Sequence, residues 1–338
     1  MQTSLGTGRV VVLHEFGGSD VLRIEREAIR EPEDEEVRIK IQSIGLNRAE
    51  ILWREGRYLV RASLPARIGF EAAGVVDAIG PKVEDFRTGE RAGVIPGLFD
   101  VTKTGMYADY ACVPARSLAR TPENLTDEEA GAIWMAYLTA WGGLVEVAGI
   151  RPGEFVVIPA ASSSVGLAAI QIVRDFGATP IALTTHLEKV ERLKEVGALH
   201  VICSKTENTL ERVKEITGDR GADIFFDPVT GELFPIEMEC AAKRARIILY
   251  GLLDRRRVVL RQGAIPLLAK EIRVEGYMVL RITQEPELLR RAEKYILERL
   301  SSGVLKPVIA KTFRLEEVRE AHDYMESNKQ IGKVVMVP

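Results

Sequence analysis

Cysteine is scarce. Cys112, Cys203 and Cys240 lie far apart, are odd in number, and form no CxxC pair. Their spacing therefore shows neither a disulfide framework nor a structural zinc site. All three read as small buried apolar residues, and a reducing, cytoplasmic location fits them. Excess charge is lacking too. A formal net charge of −3 offers no basic surface to nucleic acid. The segment from Met1 to Val12 has no charged stretch followed by a long apolar core, so no secretory signal is expected. Long apolar runs are also missing. The strongest candidate, Ala130 to Gly149, carries Glu146 and internal glycines. Its uninterrupted apolar length falls short of a membrane span, and it reads as a buried helix. What remains is a chain whose expected partner is a small molecule, with no membrane and no nucleic acid.

The length of 338 residues suggests two domains. VVVLHEFG, EVRIKIQSIGL and FEAAGVVDAIG are short apolar or alternating runs broken by turn residues, which predicts an antiparallel, barrel-like region. Near Thr126, a helix cap candidate followed by acids, the texture changes. Strands FVVIPA, TPIALTT, HVICS, ADIFFDPV and ARIILYG then alternate with helical segments. That alternation predicts an α/β, doubly wound parallel sheet with ligands at the carboxyl ends of its strands. Two amphipathic helices and a closing strand, KVVMVP, return the chain to its first domain. The expected division is 1–126 with 266–338 for the first domain and 127–265 for the second. The apolar strand Ala245 to Tyr250 is expected near the end of the parallel sheet, where an open edge suits pairing with a second copy as a homodimer.

Glycine is lacking where such a fold usually needs it. In PAASSSVGLAAIQ, Ala161 and Ser163 stand at the first two glycine positions of the dinucleotide fingerprint, and Gly166 at the third. The free N–H groups at the helix start still attract a phosphate. Small side chains keep its approach open, and serine hydroxyls add donors. A serine-capped helix without a ligand is the competing reading. An acid is also missing at the end of the next strand. Thr184, Thr185, His186 and Lys189 stand there instead, which suits a 2′-phosphate and favours NADP over NAD. A lysine on a solvated helix face is the plainer reading of Lys189.

Together with IGLNRAEILWREGRY, IGFEAAGVVDAIG, GERAGV, MAYLTAWGGL, GALHVI and GKVVMVP, in that order and spacing, the serine turn resembles the medium-chain dehydrogenase/reductases. The likeness is greatest to their zinc-free quinone oxidoreductase and enoyl reductase branch. It implies a Rossmann domain inserted in a GroES-like catalytic domain. The residues at the positions that ligate zinc in zinc-dependent members are Asn47, Phe70 and Met135 or Ala136, with Glu71 remaining, and the four-cysteine lobe is absent. This implies a metal-free member.

The resemblance also implies site residues. Asn47, flanked by Arg48 and by Glu50 where Asp is usual, would lie beside the nicotinamide with Thr139. Ser163, Ser164 and Val165 would hold the diphosphate, and Lys189 with Thr185 the 2′-phosphate. Ser204 replaces an adenine-side tyrosine, and Asn328, next to Lys329, replaces an arginine. Tyr250, the Gly251 to Asp254 loop, Tyr277, Met278 and Val279 to Leu280, and Lys333 complete the cofactor contacts. Tyr58 would lie over the substrate and with Asn47 serve the chemistry. Trp53, Trp141 and the 252–257 region would wall an interdomain cleft. Arg255, Arg256 and Arg257 read as a solvated loop or, less simply, as a receiver for an anionic tail.

The implied activity is hydride transfer from NADPH to a quinone or an α,β-unsaturated carbonyl. An NADPH-binding regulatory or RNA-associated protein with little catalysis, and an NADP-dependent alcohol dehydrogenase, are the alternatives.

Overall fold

The computed structural model describes residues 6–254, 256, 258 and 263–338. Arg255 and Arg257 therefore lie outside the described residues. The chain forms two compact units, Met1–Ala136 with Thr283–Pro338, and Tyr137–Ile282.

In chain order the first unit opens with β1 (Thr7–Leu13), β2 (Leu22–Ala28), β3 (Glu36–Gly45) and α1 (Arg48–Arg54). There follow β4 (Ala66–Arg67), β5 (Glu71–Ile79), β6 (Arg91–Val94), α2 (Val101–Thr104), β7 (Tyr110–Pro114), β8 (Leu118–Arg120) and α3 (Asp127–Ala130). Val37, Ile39 and Ile41 are buried on β3 and Lys40 is exposed, while Arg38 is buried as well, its guanidinium held by Asp77 and Glu31. Thr126 caps α3 as its sequence predicts: its hydroxyl accepts from Glu129 N at 3.2 Å, and the Glu129 carboxylate accepts from Thr126 N at 2.9 Å.

The second unit begins inside α4 (Trp134–Trp141), which widens into a π-helical turn over Gly142–Val147. It continues through β9 (Phe155–Ile158), α5 (Ser164–Asp175), β10 (Thr179–Thr184), α6 (Val190–Val196), β11 (His200–Cys203), α7 (Thr209–Thr217), β12 (Ala222–Asp227), α8 (Leu233–Cys240), β13 (Ala241–Leu249), α9 (Ile265–Lys270) and β14 (Arg273–Gly276). The six strands form one parallel sheet in the order β11-β10-β9-β12-β13-β14. This is a doubly wound sheet whose order reverses beside β9. Val157, Ile181, Ile202, Phe225 and Ile247 are fully buried in its core.

Two expectations are corrected here. The unit boundaries fall at 136/137 and 282/283, not near 126 and 266. The short α3 packs on β3 and β5 of the first unit, and Arg273–Gly276 is a strand of the parallel sheet. For the same reason β13 is not an edge. It pairs with β12 on one side and β14 on the other, so the strand that ends this side of the sheet is β14, with β11 at the opposite end.

The chain then passes α10 (Leu280–Thr283) and returns through α11 (Pro286–Ser301), β15 (Ile309–Arg314), α12 (Val318–Glu326) and β16 (Lys333–Val337). The first unit's larger sheet runs β15-β16-β3-β5-β6-β8, with β7 also on β3. β3 is antiparallel to both β16 and β5, so its carboxyl end meets their amino ends. Buried Arg54 on α1 donates to His322 Nδ1 at 3.3 Å and to Glu326 at 2.9 Å, tying α12 to α1. Arginine only donates, so Nδ1 accepts and Nε2–H donates to the Tyr107 hydroxyl at 3.2 Å. Burial, then the Arg54 charge, pushes His322 down to about 3, which keeps the ring neutral. No helix among the described residues is long and apolar enough to cross a membrane.

Candidate functional site

In the second unit the strand–turn–helix segment from β9 to α5 carries the serines. Ser163 is the helix cap: its Oγ accepts from Gly166 N at 3.0 Å. The preceding N–H groups, those of Ser164 and Val165, have no acceptor within the helix because it begins there. A Cβ on Gly166 would lie 2.6 Å from Ala161 O and 2.7 Å from Ala161 Cα, so the close crossing of helix and strand requires glycine here. The left-handed residue of the turn is Ala160, at φ 48°, a conformation that glycine adopts more readily. Lys189 reaches the turn from the end of the next strand, its Nζ donating to Ser162 Oγ at 3.0 Å. It is only 4 % exposed, so the solvated-lysine reading is set aside, and burial lowers its pKa. Thr185 is exposed beside it, and Ser204 donates its N–H to Thr184 O at 2.9 Å.

The carboxyl ends of β12 and β13 are zipped together. Leu253 N and Asp254 N donate to Pro228 O and Val229 O, and Tyr250 stacks on Phe226 with ring centroids 4.0 Å apart. Gly251 has Pro228 O within 2.9 Å of where a Cβ would stand. Arg256 is held by Asp254 at 2.7 Å and Glu232 at 2.9 Å. Two expected contacts turn inward. The Tyr277 hydroxyl donates to Leu138 O at 3.1 Å, and a Cβ on Gly142 would collide with it, so that side chain is a core prop, not a free cofactor contact. Trp141, expected as a substrate wall, is 3 % exposed. Met278 is exposed, Val279 is half-buried, and Thr139 is buried.

In the first unit, the strand arrangement gathers Asn47, Glu50, Glu71 and Lys333. Gly45 lies opposite Glu71 in the β3–β5 register and opposite Val335 in the β16–β3 register. A Cβ at Gly45 would strike Gly131 O and crowd Glu71 Oε1 and Lys333 Cε, so this junction too demands glycine. Lys333 Nζ donates to Asn47 Oδ1 at 2.6 Å and is ion-paired with Glu71 Oε1. Glu71 Oε2 accepts from Met135 N at 2.8 Å. Asn47 Nδ2 faces Glu71 Oε1, Glu50 Oε1 and Gly45 O at 3.1, 3.2 and 3.3 Å. Glu50 accepts from the N–H of Asn47 and of Phe70. Burial raises its pKa to about 7, against the pull of Lys333.

Neither end of the Asn47 carboxamide is therefore a free donor, and Lys333, 2 % exposed, is an interior residue where a cofactor contact was expected. Arg48 donates to Asn328 Oδ1, joining two positions read separately from sequence. Trp53, Tyr58 and Phe70 form an aromatic group with centroids 5.3 to 6.1 Å apart. Trp53 Nε1 donates to Arg67 O at 3.1 Å. Tyr58 is half-buried, and no hydrogen bond engages its hydroxyl among the described residues. Burial, then Glu50, raises its pKa, so it stays protonated at neutral pH. Sequence reasoning quoted Glu71 but missed its tie to Lys333. The signal was a single charge within each of two apolar runs, FEAAG and KVVMV.

Two family models match the chain: the alcohol dehydrogenase GroES-like domain over residues 33–123 and the zinc-binding dehydrogenase over residues 164–294. The chain is 30% identical to the synaptic vesicle membrane protein VAT-1 homolog of Rattus norvegicus, covering 98% of this chain and 84% of that protein. It is 30% identical to a 2-haloacrylate reductase of Burkholderia sp, covering 97% and 98%, and 29% identical to the quinone oxidoreductase of Homo sapiens over the whole of both. Among solved structures, an NAD-dependent alcohol dehydrogenase superposes with a TM-score of 0.89 at 30% identity, covering 98% of this chain and 99% of that one. The Escherichia coli quinone oxidoreductase complexed with NADPH superposes with the same TM-score at 26% identity, covering 98% and 100%.

Proposed function

The chain belongs to the medium-chain dehydrogenase/reductase superfamily, and from that premise we propose that this oxidoreductase moves hydride from NADPH to a quinone or an α,β-unsaturated carbonyl without a zinc ion. The observation that carries the reading is the serine turn with buried Lys189 bonded to it. It offers two helix N–H groups, small hydroxyl side chains and a cation in one place, which is what a diphosphate and a 2′-phosphate need. No acid occupies the end of β10 to compete for a ribose hydroxyl.

Bound there, NADPH supplies the hydride. Ser163, Ser164 and Val165 seat the diphosphate, Lys189 and Thr185 favour the 2′-phosphate, and Thr139 with the 251–254 and 278–280 segments belongs to the nicotinamide end. Tyr58 is the polar handle for the acceptor: its free hydroxyl donates to the carbonyl oxygen as negative charge develops there. Its ring is held by Trp53 and Phe70. With an enone, the β-carbon would take the hydride and the α-carbon a proton from water; a quinone would take the hydride and one proton from water. The named zinc positions carry an amide, a phenyl ring and, at Met135 or Ala136, a thioether or a methyl group, which is a poor donor set for a divalent metal. We further propose a homodimer paired through β14, one of the two end strands of the sheet, and a reducing cytoplasmic location, which the three free, buried cysteines support.

The test is NADPH oxidation by purified protein against quinones, enones and enoyl thioesters, with NADH in parallel and alcohol oxidation assayed in chelator. Turnover of an enone or quinone with NADPH is expected. No binding of either dinucleotide at millimolar levels, or alcohol oxidation lost in chelator, would overturn the reading.

A further inference from the structure

One of the matching family models is named for zinc, yet the cluster around Asn47 is already built around a different cation. Glu50 is spent on the N–H groups of Asn47 and Phe70, and Glu71 Oε2 on Met135 N. Glu71 Oε1 and Asn47 Oδ1 both face Lys333 Nζ. Among the described residues no three His, Cys, Asp or Glu side chains gather to hold a metal. Lys333 and Glu71 are 2 % and 1 % exposed, so the pair is an interior one.

We propose that Lys333 is the internal cation of this site and a positioning residue for Asn47, not a contact of the dinucleotide. The effect on turnover, transmitted through the start of α1 to Tyr58, rests on the reductase reading above. A carboxamide has nearly the same shape either way round, so its partners decide which end is oxygen. An ammonium only donates. Lys333 therefore fixes Oδ1 toward itself and turns Nδ2 toward Glu71, Glu50 and Gly45 O. Asn47 also stands at the N-cap of α1, its N–H donating to Glu50 Oε2 at 2.7 Å and its backbone carbonyl accepting from Glu50 N at 3.1 Å. Fixing it fixes the start of the helix that carries Trp53 and leads to Tyr58. The lysine comes from β16, the last strand, so the end of the chain sets the geometry at the end of β3.

The test is the Lys333→Met/Glu71→Gln double variant. It removes both charges of the pair together, and Glu50, already raised to about 7 by burial, is left to hold a proton, so the double variant is expected to fold even where Lys333→Met alone fails. The NADPH Kd is expected to stay within about twofold, while kcat falls about tenfold or more at little-changed KM, as for a misplaced active-site element. Unchanged kcat would make the pair merely structural and overturn the proposal; so would an NADPH Kd weakened about tenfold in a folded variant, which would mark a dinucleotide contact. So too would stoichiometric Zn²⁺ retained by the wild type after dialysis against Zn²⁺. If the wild type neither binds NADPH nor turns over, the reductase reading has failed, and the side-chain ¹H–¹⁵N signals of Asn47 still decide the positioning role. Hydrogen exchange there is expected to be about tenfold faster in the double variant, and equal exchange would overturn it.

Discussion

Lys189 Nζ donates to the Ser162 hydroxyl at 3.0 Å, closing a contact across 27 residues between the serine turn and the end of the next strand. A buried ammonium next to exposed Thr185 favours an added phosphate. A charge-assisted hydrogen bond is worth about 1.5–3 kcal/mol, which is about 10- to 100-fold in affinity. Lys189→Ala is expected to weaken NADPH binding by that factor and leave NADH binding nearly unchanged. Equal losses for the two dinucleotides, measured by fluorescence titration, would remove the 2′-phosphate assignment.

The turn's remaining glycine is the next test. Gly166→Ala sets a methyl group 2.6 Å from Ala161 O, backbone that has little room to move. Overpacking of this kind costs about 1–3 kcal/mol. The variant is expected to show a lower urea midpoint and much weaker binding of both NADPH and NADH. Wild-type stability and affinity in Gly166→Ala would show that the close crossing is dispensable.

Tyr58→Phe removes only the hydroxyl that no described group engages. The ring contacts to Trp53 and Phe70 remain, so stability is expected to hold. A donor aimed at a developing oxyanion contributes about 100-fold or more, and turnover of an enone is expected to fall toward that extent. Undiminished kcat on the best acceptor would confine Tyr58 to packing.

The cap residues were legible in the sequence because a cap is local: Thr126 and Ser163 each stand just ahead of a helix and bond to an N–H three residues on. The alternating strands and helices were legible for the same reason. Lys333 was not. In GKVVMVP a lysine reads the same whether it faces water or a carboxylate, and its partner Glu71 is 262 residues away. β14 was missed because RVEG is four residues with no apolar alternation, which left β13 looking like the edge. Tyr277 was misread because its hydroxyl acceptor, Leu138 O, belongs to a helix that only the fold brings near.

Glu237 on α8 carries a pH prediction. Both its oxygens are buried with no hydrogen-bond partner among the described residues. Burial, then nearby Asp227, holds its pKa well above the usual carboxyl range. The folded chain therefore keeps a proton that the unfolded chain releases, so unfolding stability falls as pH rises. This contribution is full below the ordinary glutamate pKa and is lost as pH climbs through the folded value. Asp227, raised to about 6, and Glu50 and Glu293, each raised to about 7, act in the same direction. The wild type is expected to have a higher urea midpoint at pH 5 than at pH 8. Glu237→Met removes two unpartnered oxygens at similar volume, and is expected to raise stability at pH 8 by about 1–3 kcal/mol and flatten the pH dependence. A variant less stable at pH 8, or one with the wild-type slope, would refute the assignment.

The β14 end of the parallel sheet carries the assembly prediction. β14 pairs with β13 on one side, and Val274 at its middle is 38 % exposed. The adjoining α9 exposes Ile265 and Leu268. An open strand flanked by exposed apolar side chains is normally covered, and a two-fold pairing of the same strand covers it in both copies at once. Val274→Lys sets a charge on that strand in each copy, where like charges meet. The wild type is expected to sediment at twice the 37.5 kDa chain mass and Val274→Lys at the chain mass itself. A wild type that sediments as a single chain at micromolar concentration would leave β14 a solvated edge and end the dimer proposal.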